Sequence, residues 1–129
     1  MMTAYDRIRD MTVILVALGS ALGGVCRYLV SLTLNGNGGF PCGTLAVNVV
    51  GSLAIGVLSG WLAHGSGSVA AIRAFAVVGF CGGFTTFSTF SNETFRMIEN
   101  GQFGQLSLYV AGSLLAGVAA VARGSVLAR

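Results

Sequence analysis

The chain alternates between long apolar stretches and short polar clusters. A helix that crosses a bilayer needs about 20 mostly apolar residues, and the stretches over 11–34, 43–63, 69–97 and 103–121 all reach that length. Turn formers separate them: Asn35-Gly36-Asn37-Gly38-Gly39-Phe40-Pro41 after the first, and Gly65-Ser66-Gly67-Ser68 after the second. The pattern predicts an all-α membrane protein, one domain of four transmembrane helices over 1–129. Small residues recur four apart at Gly19/Gly23, Gly56/Gly60, Gly79/Gly83 and Gly112/Ala116. In lipid that spacing lets helix backbones approach closely, so a tight bundle is expected.

Composition agrees. Hydrophobic residues make up 54% of the chain and charged residues 9%, against about 25% charged in an average soluble domain. All seven basic residues are arginines, scattered without a basic stripe, which excludes nucleic-acid binding as a reading. Arg7, Arg9, Arg73, Arg123 and Arg129 fall on one side of a four-crossing topology and only Arg96 on the other. The positive-inside rule then sets the N-terminus in the cytoplasm. Arg7 and Arg9 ahead of an apolar run imitate a signal peptide. The run is of membrane length, however, and is read as a retained helix. Cys26, Cys42 and Cys81 show neither zinc nor disulfide spacing, and His64 is read as interfacial.

The third stretch carries most of the chemistry: Gly79-Phe80-Cys81-Gly82-Gly83-Phe84-Thr85-Thr86-Phe87-Ser88-Thr89-Phe90-Ser91-Asn92-Glu93. Paired glycines followed by paired threonines predict a break in the helix at mid-membrane. Backbone that leaves the helix there must face protein, water or an ion. Free carbonyls at such a break suit a hard cation such as sodium, and a plain kink between packed helices is the alternative. Beyond the break, a turn of about 100° per residue places Thr85, Ser88, Thr89 and Asn92 on one face, with Phe87 and Phe90 opposite. On the second stretch Thr44, Asn48 and Ser52 stack four apart, as do Tyr109 and Ser113 on the fourth. Three helices thus offer neutral hydrogen-bonding groups to a common interior, a lining suited to a small ion that sheds its water. Phenylalanine edges carry partial positive charge and suit an anion, although packing alone also accounts for Phe87 and Phe90. Arg27 and Glu93 are ionisable residues inside apolar runs, a costly placement that points to function. Arg27 is also near enough to a helix end to snorkel. Glu93 is read as lining a vestibule, capping a network or exchanging protons.

Three segments together resemble the Fluc (CrcB) fluoride channels: Gly23-Gly24-Val25-Cys26-Arg27-Tyr28, Gly43-Thr44-Leu45-Ala46-Val47-Asn48-Val49-Val50-Gly51-Ser52, and Gly79 through Ser91. The resemblance implies an antiparallel, dual-topology dimer in the plasma (inner) membrane that passively exports cytosolic fluoride, with no catalysis. It implies an ion path lined by Asn48, Phe87 and Phe90, by the hydroxyls of Ser88, Thr89 and Ser91, and by Thr44, Tyr109 and Ser113. It further implies a structural sodium ion on the carbonyls of Gly82 and Thr85 at the dimer centre, and it matches Arg27 to the family's first-helix arginine. Gly117 stands where some relatives offer another hydroxyl. The arginine bias exceeds what dual topology predicts, so a paralogous partner subunit is an alternative to a second copy of the same chain. A small proton-coupled multidrug exporter is the competing function. That chemistry wants a carboxylate in the first helix, and none lies between Met11 and Leu34.

Overall fold

The computed structural model describes residues 3–36, 39–65 and 69–128. Helix α1 spans Ala4–Leu34 and α2 spans Cys42–Leu62. The third span, Val69–Glu99, is built from α3 (Val69–Ile72), a π-helical stretch (Arg73–Cys81), α4 (Gly82–Phe84) and α5 (Phe87–Glu99), and α6 covers Phe103–Leu127. The result is four helices long and apolar enough to cross a membrane. Their outer faces expose Leu18, Leu22 and Leu115, a surface suited to acyl chains.

Helix α1 begins seven residues ahead of the apolar stretch. Thr3 and Asp6 form a reciprocal capping box: the Asp6 N–H donates to Thr3 Oγ1 at 3.2 Å, while the Thr3 N–H donates back to Asp6 Oδ2 at 3.1 Å. The polar turn Tyr5-Asp6-Arg7 is therefore helical although it is not apolar. At the other end of α1, Asn35 accepts from the Gly43 N–H at 2.7 Å, so the first loop satisfies a free donor at the start of α2. Helix α5 ends at a left-handed glycine, Gly101 (φ 67°), with the Gln102 N–H returning to the Met97 carbonyl at 2.8 Å. This tight stop turns the chain directly into α6. Helix α6 continues six residues past the expected 121, to Leu127, carrying Arg123 with it.

The bundle consists of two interlocked pairs, α1 with the first half of the third span and α2 with α6. Glycine makes both pairings possible. A β-carbon on Gly19 would overlap the Phe75 carbonyl, and one on Gly23 the Phe80 carbonyl. Gly56 and Gly124 serve the α2–α6 pair in the same way, against Val121 and Leu53. Gly112, expected at a tight contact, faces open space. Of the three cysteines only Cys81 is buried, and none is paired.

Candidate functional site

Two residues of the third span leave the helix. Thr85 (φ −81°, ψ 158°) and Thr86 (φ −151°, ψ 122°) are extended, between Phe84 and Phe87. Asn48 of α2 meets this segment: its Oδ1 accepts from the Thr86 N–H at 2.8 Å, and its amide donates to the Thr86 carbonyl at 3.1 Å. One side chain thereby satisfies both backbone groups of a residue that has lost its helical partners, which would otherwise be expensive away from water. Thr86 in turn caps α5, its hydroxyl accepting from the Thr89 N–H at 3.2 Å and donating to Thr89 Oγ1 at 3.1 Å. Gly51, one turn along α2, leaves room for the Thr85 methyl group.

The extended geometry corrects one expectation. Thr85 does not share a helical face with Ser88, Thr89 and Asn92, because it lies outside α5 and its hydroxyl turns back to the Cys81 carbonyl at 2.8 Å. Arg27 donates from its Nε to the Gly83 carbonyl at 3.1 Å, joining α1 to the end of α4. The Thr85 N–H also goes to Cys81 and the Thr86 N–H to Asn48, so the Gly82 and Thr85 carbonyls receive no hydrogen bond among the described residues. Two free carbonyls at the end of α4 fit a hard cation. No cluster of acidic, histidine or cysteine side chains suited to a metal occurs among the described residues.

A second polar cluster lies deeper along α5. Glu93 accepts from Thr44 Oγ1 at 2.8 Å and from the Tyr109 hydroxyl at 2.6 Å, tying α5 to α2 and α6. Thr44 and Tyr109 are buried, at 1% and 0% exposure, so the carboxylate holds two donors that water does not reach. The Tyr109 ring packs on Phe90 at 5.1 Å and edge-on against Phe40 at 5.5 Å, and Phe90 lies 6.0 Å from Phe87.

Three recesses follow α6 in order. The first, about 290 Å³, is lined by Glu93, Arg96, Asn35 and Gln102. The second, about 270 Å³, brings together Asn48, Thr86, Phe87, Phe90 and Ser113. The third, about 600 Å³, passes Ser113 and Gly117 towards Ser125. Ser113 Oγ is buried without a hydrogen-bond partner in the described structure, beside the recess it lines. Tyr109, Ser113 and Gly117 are spaced four residues apart, so they occupy one face of α6, which begins just after Gln102.

Not every anticipated residue joins this line. Ser88 and Ser91 are exposed in the protomer; the Ser91 hydroxyl bonds to the Phe87 carbonyl at 2.9 Å, and Ser88 faces Thr86 Oγ1 at 3.4 Å. Ser52, which stacks with Asn48 on the expected face, and Thr86, which the sequence pattern does not mark as a path residue, both line the central recess. For Ser52 the signal was present in its four-residue spacing from Asn48. A β-carbon at Gly117 would lie 3.7 Å from Ser52 Oγ, so Ser52 occupies the side opposite the glycine.

The family model described as "CrcB-like protein, Camphor Resistance (CrcB)" matches residues 14–125, nearly the whole chain. The chain belongs to the CrcB family. Among curated CrcB relatives, a protein of Methylobacterium sp. (strain 4-46) is 48% identical over 113 residues, covering 87% of this chain and 91% of its own. One of Novosphingobium aromaticivorans is 49% identical over 107 residues, covering 80% and 84%. One of Caulobacter vibrioides is 47% identical over 120 residues, covering 90% and 94%. Each of these three is named "Fluoride-specific ion channel FluC". The CrcB match takes in the extended Thr85–Thr86 segment, Asn48, the Glu93 cluster and the face of α6 that carries the recesses.

Proposed function

We propose that this CrcB chain is the protomer of a fluoride-selective channel, a multi-pass membrane protein that carries fluoride passively out of the cytosol. The observation that carries the reading is the near full-length similarity to fluoride-specific channels. A neutral lining along one face of α6 accompanies it. Asn48 uses one amide hydrogen on the Thr86 carbonyl and keeps a second. Ser113 keeps its hydroxyl free, and the edges of Phe87 and Phe90 flank the same recess. Such donors replace hydration water without trapping the ion on a full opposite charge. Glu93, held by Thr44 and Tyr109, marks one end of the path, and the Gly117 recess marks the other.

The functional unit in this proposal is an antiparallel pair of chains in the plasma membrane, formed by two copies or by this chain and a paralogue. Phe87 supports it: 79% of its surface is exposed in the protomer, at the mouth of the central recess, leaving one wall of that recess to a partner. The Thr85–Thr86 break would lie at mid-membrane, near the pair's centre. The Gly82 and Thr85 carbonyls would hold a structural sodium ion, which supplies a fixed positive field favouring anions. Thr89, Ser88 and Ser91 would complete the lining once the partner covers α5.

The proton-coupled exporter reading is not favoured, because the CrcB relatives are fluoride-specific channels and α1 carries no carboxylate beyond Asp10. Fluoride-electrode recording of efflux from liposomes holding this chain alone tests the proposal. Rapid fluoride release, independent of a pH gradient, is expected. Phe87→Ile should slow it by about tenfold while leaving the dimer intact on size exclusion. Release only after co-reconstitution with a paralogous chain would identify a heterodimer, and no release from either preparation, with or without a pH gradient, would overturn the reading.

A further inference from the structure

A recess away from the polar line has a different character. Ala4, Arg7, Ile8, Met11 and Leu15 of α1 and Ala70 and Ala71 at the start of the third span enclose about 500 Å³. The α1 positions recur at three- and four-residue intervals, so they form one stripe down the helix. All of the lining side chains are apolar except Arg7 and Thr12. The groove is therefore greasy along its length, with one fixed cation at its upper end.

Its depth matches a lipid. From Arg7 to Leu15 the helix rises about 12 Å. Helix α1 has 31 residues and is about 46 Å long, against about 30 Å of hydrocarbon. The apolar stretch begins at Met11, which puts Arg7 about 6 Å above it, at the level of headgroup phosphates. Leu15 lies within the hydrocarbon. Both walls belong to the same end of the bundle, because the third span starts on the side from which α1 departs.

Charge selects the headgroup. Arg9 is shared between Asp6 at 3.8 Å and Asp10 at 3.6 Å, so the two acids of this segment face Arg9. Arg7 makes no ion pair among the described residues and lines the groove. Arg73 adds a further positive charge one turn beyond Ala70. An unpaired arginine above an apolar trough complements a phosphate above an acyl chain, and a basic recess between helices at the headgroup level is a recurring form of lipid site.

We infer that this groove binds an anionic phospholipid, with Arg7 on the phosphate and one acyl chain along Ile8, Met11 and Leu15. The site lies away from Asn48, Phe87 and Glu93, so lipid binding and ion flux can be measured independently. The test is native mass spectrometry of the purified full-length protein in mild detergent, titrated with dioleoyl phosphatidylglycerol, dioleoyl phosphatidylcholine or glycerol 1-phosphate. Phosphatidylglycerol should be retained preferentially. Arg7→Gln should lower its occupancy about fivefold, the effect of one arginine at a charged surface. Arg9→Gln should leave occupancy unchanged, and fluoride efflux should be normal in both variants. Ala71→Phe, which fills the trough and keeps the charge, should displace the lipid as well. Equal retention of the two lipids would overturn the site. So would lipid binding that survives Ala71→Phe, or glycerol 1-phosphate binding as tightly as the full lipid.

Discussion

The two halves of the third span are packed on different terms. Before the break, Ala74, Gly79, Cys81 and Phe84 are buried, and glycines bring the backbone of α1 into direct contact. After it, Met97 is the one buried residue of α5, and Phe87 and Phe95 stand exposed. The first half is an interface held mainly by shape, with Arg27 and Ser20 of α1 also donating to the Gly83 and Gly79 carbonyls. The second is held by a few directed bonds, Asn48 to Thr86 and Glu93 to Thr44 and Tyr109, and leaves a face for something else to cover. Rigid apolar packing anchors one end of the span so that the other can present polar groups at defined positions.

The largest effect is expected where close backbone packing dominates the contact. Gly23→Leu forces a side chain into the Phe80 carbonyl and should cost about 3 kcal/mol or more, seen as loss of monodisperse protein on size exclusion. Normal assembly would end the distinction between the halves. Asn48→Leu comes next. It leaves the Thr86 N–H and carbonyl without their partner, at about 1–3 kcal/mol for each group, and should lower both the thermal midpoint and fluoride efflux. A smaller effect is expected for Tyr109→Phe, which removes the 2.6 Å bond to Glu93 but keeps the ring against Phe90. Stability should fall by about 1.5–3 kcal/mol, read as a lower thermal midpoint in detergent. Ser113→Ala should be the mildest for folding, within about 0.5 kcal/mol, because its hydroxyl bonds to nothing among the described residues. A clear slowing of efflux with an unchanged melting curve would separate path from scaffold, and unchanged efflux would count against Ser113 in the lining.

The four spans were readable from hydrophobicity because lipid imposes a length and a polarity that sequence reports directly. The Gly82-Gly83 and Thr85-Thr86 pairs marked an unusual stretch, and the Thr44–Asn48 spacing marked the helix that faces it. Other features were hidden for identifiable reasons. The start of α1 lies in a polar turn whose Thr3–Asp6 box an apolar search passes over. The π-helical turns over Arg73–Cys81 have no local signature; that stretch runs against Gly19 and Gly23, far away in the sequence. Periodicity gave the mutual spacing of Ser88, Thr89 and Asn92 but not the side of α5 that a neighbour covers. It also assumed that Thr85 continued the helix, whereas its dihedral angles turn it away.

Asn48 and Thr86 are 38 residues apart in the chain, yet each answers the other's backbone or amide. The interruption of the third span therefore has its counterpart in a different helix. A lineage that changed residue 48 would have to rebuild the threonine pair to keep its channel open, and one that straightened the span would leave an idle amide in the second helix. The two positions act as a single structural unit, and an engineer transplanting this conduit into another bundle would have to carry both.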